Sequence, residues 1–259
     1  MFIVISYLLL ALFGNQLAPY SFTDQHLSDA LQPPSSAYWL GTDQFGRDIL
    51  SRIIIGSRSI LLLATASTGL ALLLGVSIGL IAGYFGGLWD EILMRGADIL
   101  LSFPALLLAL LVISSLGSAM IYLILTVGVI FSPAIARIVR SAVLDVKTKE
   151  FLEAARAIGV PTLRILRVHV LGNIMDVVVV EAAIYFGYAI LVGAGLGFLG
   201  LGAQPPSPDW GLQVNDGRNF LLAAPWIAVF PALAISSLVI SVNLLADGLT
   251  DSIQGHRHV

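Results

Sequence analysis

Cysteine is absent from the 259 residues, which removes disulfides, thiolate metal sites, iron–sulfur clusters and cysteine nucleophiles together. Charge is scarce. Asp, Glu, Lys and Arg make up 11% of the chain, against about 25% in a soluble globular domain. With 58% hydrophobic residues there is too little polar side chain to coat a soluble enzyme, and a disordered chain is excluded more firmly still. The formal net charge is −3, so no basic field exists to hold nucleic acid. Lysine occurs only at Lys147 and Lys149, and neither follows a glycine-rich loop. The phosphate-cradling Gly-x-x-x-x-Gly-Lys-[Ser/Thr] motif is therefore missing, and ATP hydrolysis by that route with it. No Ser–His–Asp grouping can be defended, so no catalytic residue is assigned.

What the chain has in abundance is long apolar runs. Six stand out: Phe2 to Gly14, Ile60 to Tyr84, Ile99 to Leu116, Ala119 to Ala136, Val177 to Leu201 and Pro225 to Ala246. The last five are each long enough to cross a hydrocarbon core of about 30 Å. Backbone amides in lipid must be satisfied within their own segment, which makes these runs helices. The fold class expected is all-α: a polytopic membrane protein with about six transmembrane helices. The first run, residues 1–14, falls short of the ~17 residues a crossing needs. The first basic residue is Arg47, so the positive n-region of a signal peptide is missing. A genuine first helix, short or truncated at its start, is expected instead.

Basic residues orient the spans. Arg137, Arg140, Lys147, Lys149, Arg156, Arg164 and Arg167 crowd one segment, residues 137–176, which must lie outside the bilayer. The positive-inside rule makes it cytoplasmic. Arg95 and Arg257 then fall on the same side, giving nine basic residues inside and four outside (Arg47, Arg52, Arg58 and Arg218), with both termini cytoplasmic. The organisation expected is a first helix over 1–14, an outer segment over 15–59, a transmembrane domain over 60–251 and a cytoplasmic tail over 252–259.

Within the inner loop, Glu150 to Ile158 reads as a short amphipathic helix. Phe151, Leu152, Ala155 and Ile158 share one face, Gly159 is a left-handed C′ residue, and Pro161 is a stop. Thr162 is placed to cap a second helix, Leu163 to Val170. The pattern alone leaves two readings open: a docking surface for a soluble protein, or a helix lying on the membrane.

The run Glu153-Ala154-Ala155, three residues, then Gly159 resembles the EAA loop of ABC importer permeases. Other segments resemble the dipeptide, oligopeptide and nickel permeases of that family. They are Gly41-Thr42-Asp43-Gln44-Phe45-Gly46-Arg47-Asp48-Ile49-Leu50-Ser51-Arg52, Gly83-Tyr84-Phe85-Gly86-Gly87, Met94-Arg95-Gly96-Ala97-Asp98-Ile99, Gly197 to Gly211 and Asn243 to Leu249. The likeness covers about Gly41 to Asp251 and is closest to the "C"-type of the two homologous permease subunits. It implies half of a translocation pathway in a bacterial inner membrane, with peptides as the best-supported cargo and nickel or a metal chelate as the alternative. The partners implied are a second permease, two ATPase subunits that carry the ATP and Mg, an extracytoplasmic binding protein and membrane lipid. No cofactor and no metal is expected on this chain. Glu153, Ala154, Ala155 and Gly159 become the ATPase-coupling positions. The family's Ile-x-Leu-Pro continuation corresponds to Val170-Leu171-Gly172-Asn173, with Gly172 in place of proline. A stand-alone secondary transporter or channel is the rival from another class; it calls for internal repeats and paired midplane charges, neither of which is clear here.

Remaining motifs carry weaker signals. Gly195-x-Gly197-x-x-Gly200 with Asp216 matches a dinucleotide fingerprint literally, but it ends an apolar span instead of joining a strand to a helix. Gly197 and Gly200 are read as packing or a gate at the outer face. Gly75, Gly79 and Gly83 lie four apart on one helix face, as close helix packing requires, either within the chain or against the partner permease. Glu181, Ser237 and Asn243 are candidates for the pathway, since polar groups inside spans are functional by default. His256 and His258 suggest a solvated tail before they suggest a metal site.

Overall fold

The computed structural model describes residues 2–255, with side chains through Asp251. His256 and His258 lie outside the described residues. Among those described the chain is helical, and its sole β feature is an isolated bridge between Thr42 and Asp48. Four helices are long and apolar enough to cross a membrane: α2 (Ile49–Phe85), α5 (Met120–Lys147), α9 (Met175–Phe198) and α11 (Trp226–Gly255). A fifth span is available if α3 (Gly87–Leu101) and α4 (Ala105–Leu116), bent 85° to one another, are counted as one. The sixth apolar helix is the shorter α1 (Phe2–Leu17), which runs straight through Asn15 and Gln16.

Several boundaries differ from those read in the sequence, each for a local reason. Helix α2 starts at Ile49 rather than Ile60, so part of the outer segment is helix. Its start is set by Asp48, whose carboxylate accepts the Ser51 N–H at 2.8 Å and the Ser51 hydroxyl at 2.6 Å. At about 1.5 Å per residue its 37 residues reach roughly 55 Å, well past the hydrocarbon core. The run Ile99 to Leu116 is not one span, because Pro104 cannot continue a helix begun at Gly87 and becomes the N-cap of α4. Helix α5 runs beyond Ala136 to Lys147 and carries Arg137 and Arg140 with it. Its internal Pro133 cannot donate to the Val129 carbonyl, and the Ser132 hydroxyl donates there instead, at 2.9 Å.

The centre of the fold is the α2–α5 pair, which runs parallel. A methyl added at Gly75 would sit 2.7 Å from Ile135 Cβ, at Gly79 2.6 Å from the Ala136 carbonyl oxygen, and at Gly83 2.8 Å from Val143 Cβ. The glycine stripe is thus filled by α5 of the same chain, as close helix packing requires. From the opposite helix, Gly128 receives Leu70. Helix α9 packs on α2, α11 packs on α9, and α1 leans on α2 and α11 with only Gly14 buried. Helix α3 is drawn back onto α5 by ion pairs from Asp90 to Arg140 and from Asp98 to Arg137.

Candidate functional site

Polar chemistry collects at the two ends of this bundle. At one end, which holds residues 148–174, α6 (Glu150–Ala157) is an eight-residue helix. Glu150 and Glu153 occupy its first turn and Arg156 its last, each sign complementing the helix dipole. Gly159 has φ +79°, with Val160 N–H donating to the Ala155 carbonyl and Gly159 N–H to the Arg156 carbonyl, both at 3.0 Å. That pair of bonds is a Schellman stop. A Cβ at Gly159 would meet nothing within 4 Å, so the glycine answers to backbone conformation and not to crowding.

Leu152 and Ala155 are buried, and Leu152 belongs to the same apolar cluster as Val143, Ile165, Val170 and Ile174. Ile158 does not join them: it caps the helix and is 81% exposed, and Phe151 is 42% exposed. Of the four coupling candidates, Ala155 therefore faces inward, while Glu153, Ala154 and Gly159 face outward. The Arg156 guanidinium lies 5.3 Å from the centroid of Tyr84, near the end of α2, and so connects α6 to the central helix pair. The second helix of the loop is unbroken but changes its winding: α7 (Thr162–Arg164) passes into a π-helical turn Ile165–Val170 and then α8 (Leu171–Asn173), with Pro161 rather than Thr162 at its N-cap.

At the opposite end, two sequence segments some 160 residues apart close on one another. The Gly41–Asp48 turn is held by Asp43, which accepts from the Phe45 and Arg47 N–H groups and pairs with the Arg47 guanidinium at 2.6 Å. Arg52, 1% exposed, donates to the carbonyls of Phe22 (3.1 Å), Pro206 (3.4 Å) and Ser207 (3.1 Å). Arg47 also approaches Asp216 in α10 (Trp210–Gly217) at 3.9 Å. Asp209 caps α10 by accepting the Leu212 N–H at 2.9 Å. Burial pushes the carboxyls of Asp209 and Asp216 above the ordinary carboxylate range, and the nearby Arg52 pulls the other way in both. Trp226, at the start of α11, donates its indole N–H to the Thr42 carbonyl at 3.2 Å. The result is one rigid cap that ties α2, α9, α10 and α11 together. Gly197 lies inside it, where a side chain would come within 3.1 Å of Gly211 Cα, and Gly200 at φ +78° makes the Schellman stop of α9.

The pathway candidates are not gathered in one place. Glu181 is buried on α9, and Ser237 bonds to the Tyr7 hydroxyl at 2.9 Å. Asn243 lines a cleft between α9 and α11. The cap residues Arg52, Asp209, Trp210 and Asp216 were not read as one site in the sequence: Arg52 counted only toward orientation and Asp216 only toward the discounted dinucleotide match. The density of Gly, Pro, Asp and Arg in two otherwise apolar surroundings was the available signal.

A helical membrane domain with a small stopped helix on one end and a rigid polar cap on the other is the architecture of a transporter permease. The chain belongs to the family described as binding-protein-dependent transport system inner membrane component, which matches residues 75–255. It is a permease component of an ABC importer and a multi-pass membrane protein. It is 40% identical over 251 residues to the dipeptide transport system permease protein DppC of Alkalihalophilus pseudofirmus, covering 97% of this chain and 83% of that protein. It is 41% identical over 245 residues to the glutathione transport system permease protein GsiD of Pectobacterium atrosepticum, covering 94% and 81%. An inward-facing structure of the MetNI methionine ABC transporter shares the fold, with TM-score 0.64, 19% identity, and coverage of 79% of this chain and 97% of that one.

Proposed function

We propose that this permease moves short peptides, glutathione among them, and couples to a separate ATPase through α6. The end carrying α6 is cytoplasmic, as the loop arginines require, and the polar cap faces the binding protein. The chain forms half of the pathway beside a second permease, and two ATPase subunits bind the ATP and Mg. Names of the relatives supply the peptide class. The observation that carries the coupling role is the stopped, outward-facing α6, rooted by Leu152 and linked to α2 through Arg156 and Tyr84. A lever must resist bending, and the Schellman stop and the buried root both stiffen it.

The test is reconstitution of the whole importer in liposomes, with import of dialanine and ATP hydrolysis measured together. Glu153→Lys and Gly159→Pro are expected to uncouple hydrolysis from import while insertion into the membrane is retained. Normal import by both variants would refute the coupling assignment. A tagged chain that purifies from solubilised membranes without an ATPase would point to a stand-alone transporter.

A further inference from the structure

Asn243 and Asp247 lie one turn apart on the same face of α11, and both are exposed. Polar and charged side chains on a membrane helix rarely face lipid, because nothing there replaces their hydration. The face they share opens into a cleft of about 300 Å³ against α9, where Ile184, Gly187, Tyr188 and Leu191 form the other wall. That volume is at the lower end of small-molecule sites.

Gly187 shows that the cleft is shaped around Asn243. A Cβ at 187 would lie 2.9 Å from Asn243 Oδ1, so the glycine leaves room for the amide to turn toward α9. Tyr188, 51% exposed, stands beside it and continues into an aromatic row, with Tyr185 at 5.7 Å between centroids and Phe131 at 5.2 Å from Tyr185. A carboxylate, an amide and an aromatic ring around one opening favour a small cation that also carries hydrogen-bonding groups.

We infer that the α9–α11 cleft holds the free α-ammonium end of the solute in transit, with Asp247 as counter-ion, Asn243 as amide partner and Tyr188 as the aromatic wall. This rests on the reading of the chain as a peptide importer. A dipeptide and glutathione both carry such an ammonium group, so one subsite serves either. The binding protein would still select the cargo, and this subsite would guide its charged end past α11.

The absence of cysteine makes the inference directly testable. In the complete importer complex, Asn243→Cys gives this chain a single thiol, which is titrated with a small water-soluble methanethiosulfonate. Leu111→Cys, on the apolar face of α4 where Leu111 is 66% exposed, is the comparison. Asn243→Cys is expected to label about tenfold faster or more, since a thiol must reach water to ionise and react. Dialanine is expected to slow that labelling, and N-acetyl-dialanine is not. Adding Asp247→Asn is expected to raise the protecting concentration about tenfold, the loss of one charge-assisted bond, and Asp247→Glu to keep it low. Equal labelling at the two positions, equal protection by the acetylated peptide, or no response to Asp247→Asn would each overturn the assignment. Import of radiolabelled dialanine by the unsubstituted complex separates the two ideas. Import without ammonium-dependent protection removes the cleft and leaves the importer reading. Ammonium-dependent protection without import leaves the cleft an ammonium site but removes the peptide-importer reading, and overturns its role in transit.

Discussion

Trp210 donates its indole N–H to the backbone carbonyl of Ile53 at 3.0 Å, across 157 residues of sequence. The ring is fully buried and meets Tyr7 of α1 edge-on at 5.3 Å. Through this one side chain the start of α10 is locked to α2, and α1 is locked to both. Gly56 on α2 leaves the space, since a side chain there would collide with the Pro208 carbonyl and the indole. Trp210→Phe removes the donor and leaves the Ile53 carbonyl without it, at an expected cost of roughly 1–3 kcal/mol. Trp210→Ala adds a cavity and is expected to cost about 3–5 kcal/mol. Thermal unfolding of the detergent-solubilised chain should rank the wild type above Phe and Phe above Ala. Equal midpoints for the wild type and Ala would show that the cap does not hold the far end.

The glycines of α2 are expected to respond unequally to the same small change. Gly79→Ala puts a methyl 2.6 Å from the Ala136 carbonyl oxygen, and the α2–α5 pair must separate to admit it. Overpacking of this kind costs about 1–3 kcal/mol. Gly69→Ala places its methyl where nothing lies within 4 Å and is expected to be neutral or to stabilise the helix by roughly 0.5–1 kcal/mol. Melting temperatures of the two variants against the wild type check the contrast. A Gly79→Ala protein as stable as Gly69→Ala would mean that the helix pair is looser than its geometry indicates.

At Gly159 the expected cost is conformational. Its φ of +79° penalises any residue with a Cβ, by about 1–2 kcal/mol for Ala. Asparagine tolerates the left-handed region better, so Gly159→Asn should fall between glycine and alanine. Because the space around the position is open, the penalty appears in the α6 stop and not in the bundle. Import per ATP hydrolysed should therefore decline in the order Gly, Asn, Ala, while the melting temperature of the bundle changes little. A uniform drop in both quantities would contradict a local effect.

Composition and hydrophobic runs were enough to read the membrane class, the all-helical fold and the approximate number of spans. Ends of helices were less legible, because what sets them is often a single side chain. Asp48 starts α2 eleven residues before the continuous apolar run at Ile60, and Pro104 breaks a run that hydropathy alone treats as unbroken. The Gly159 turn was legible because a left-handed stop has a short local signature. Periodicity grouped Ile158 with Leu152 and Ala155, yet it stands at the C-cap and is exposed while those two are buried, since helical periodicity takes no account of where α6 ends. The far-end cap was the least legible feature. Its contacts join Arg47 and Arg52 to residues beyond Gly202, and periodicity carries no information about pairings that distant.

Buried carboxyls in that cap should give stability a specific pH slope. Asp209 has its folded value raised above the ordinary 3.8, by burial first, with the Leu212 and Gly211 N–H groups and Arg52 opposing. A raised carboxyl holds its proton more tightly in the folded state than in the unfolded one. Stability is then lost as pH rises from about 3.8 through the raised value, and is level above it. Asparagine caps a helix as well as aspartate but does not titrate. The melting temperature of Asp209→Asn minus that of the wild type should therefore be smallest at the acid end and grow across this window. Asp216, also raised by burial, contributes equally to both proteins and cancels in the difference. Parallel pH curves for the two proteins would exclude the assignment.

Helix α3 owes its position to charge. Asp90 pairs with Arg140 and Asp98 with Arg137, and the first pair is the less exposed, at 22% and 33% against 56% and 50%. Exposed pairs contribute about 0–1 kcal/mol, so Asp98–Arg137 should matter little and Asp90–Arg140 more. Arg140 lies two turns before Lys147 at the end of α5, and Lys147 reaches the Gly83 carbonyl at 3.5 Å. Releasing α3 at Asp90 therefore loosens the region from which α6 departs. Asp90→Arg and Arg140→Asp are each expected to lower import by leaving two like charges facing one another, and the double swap to restore most of it. The double-mutant cycle on import rate is the measurement, because it isolates the pair from the cost of each substitution. A double variant as impaired as the sum of its parts would show that α3 is held by its apolar contacts alone.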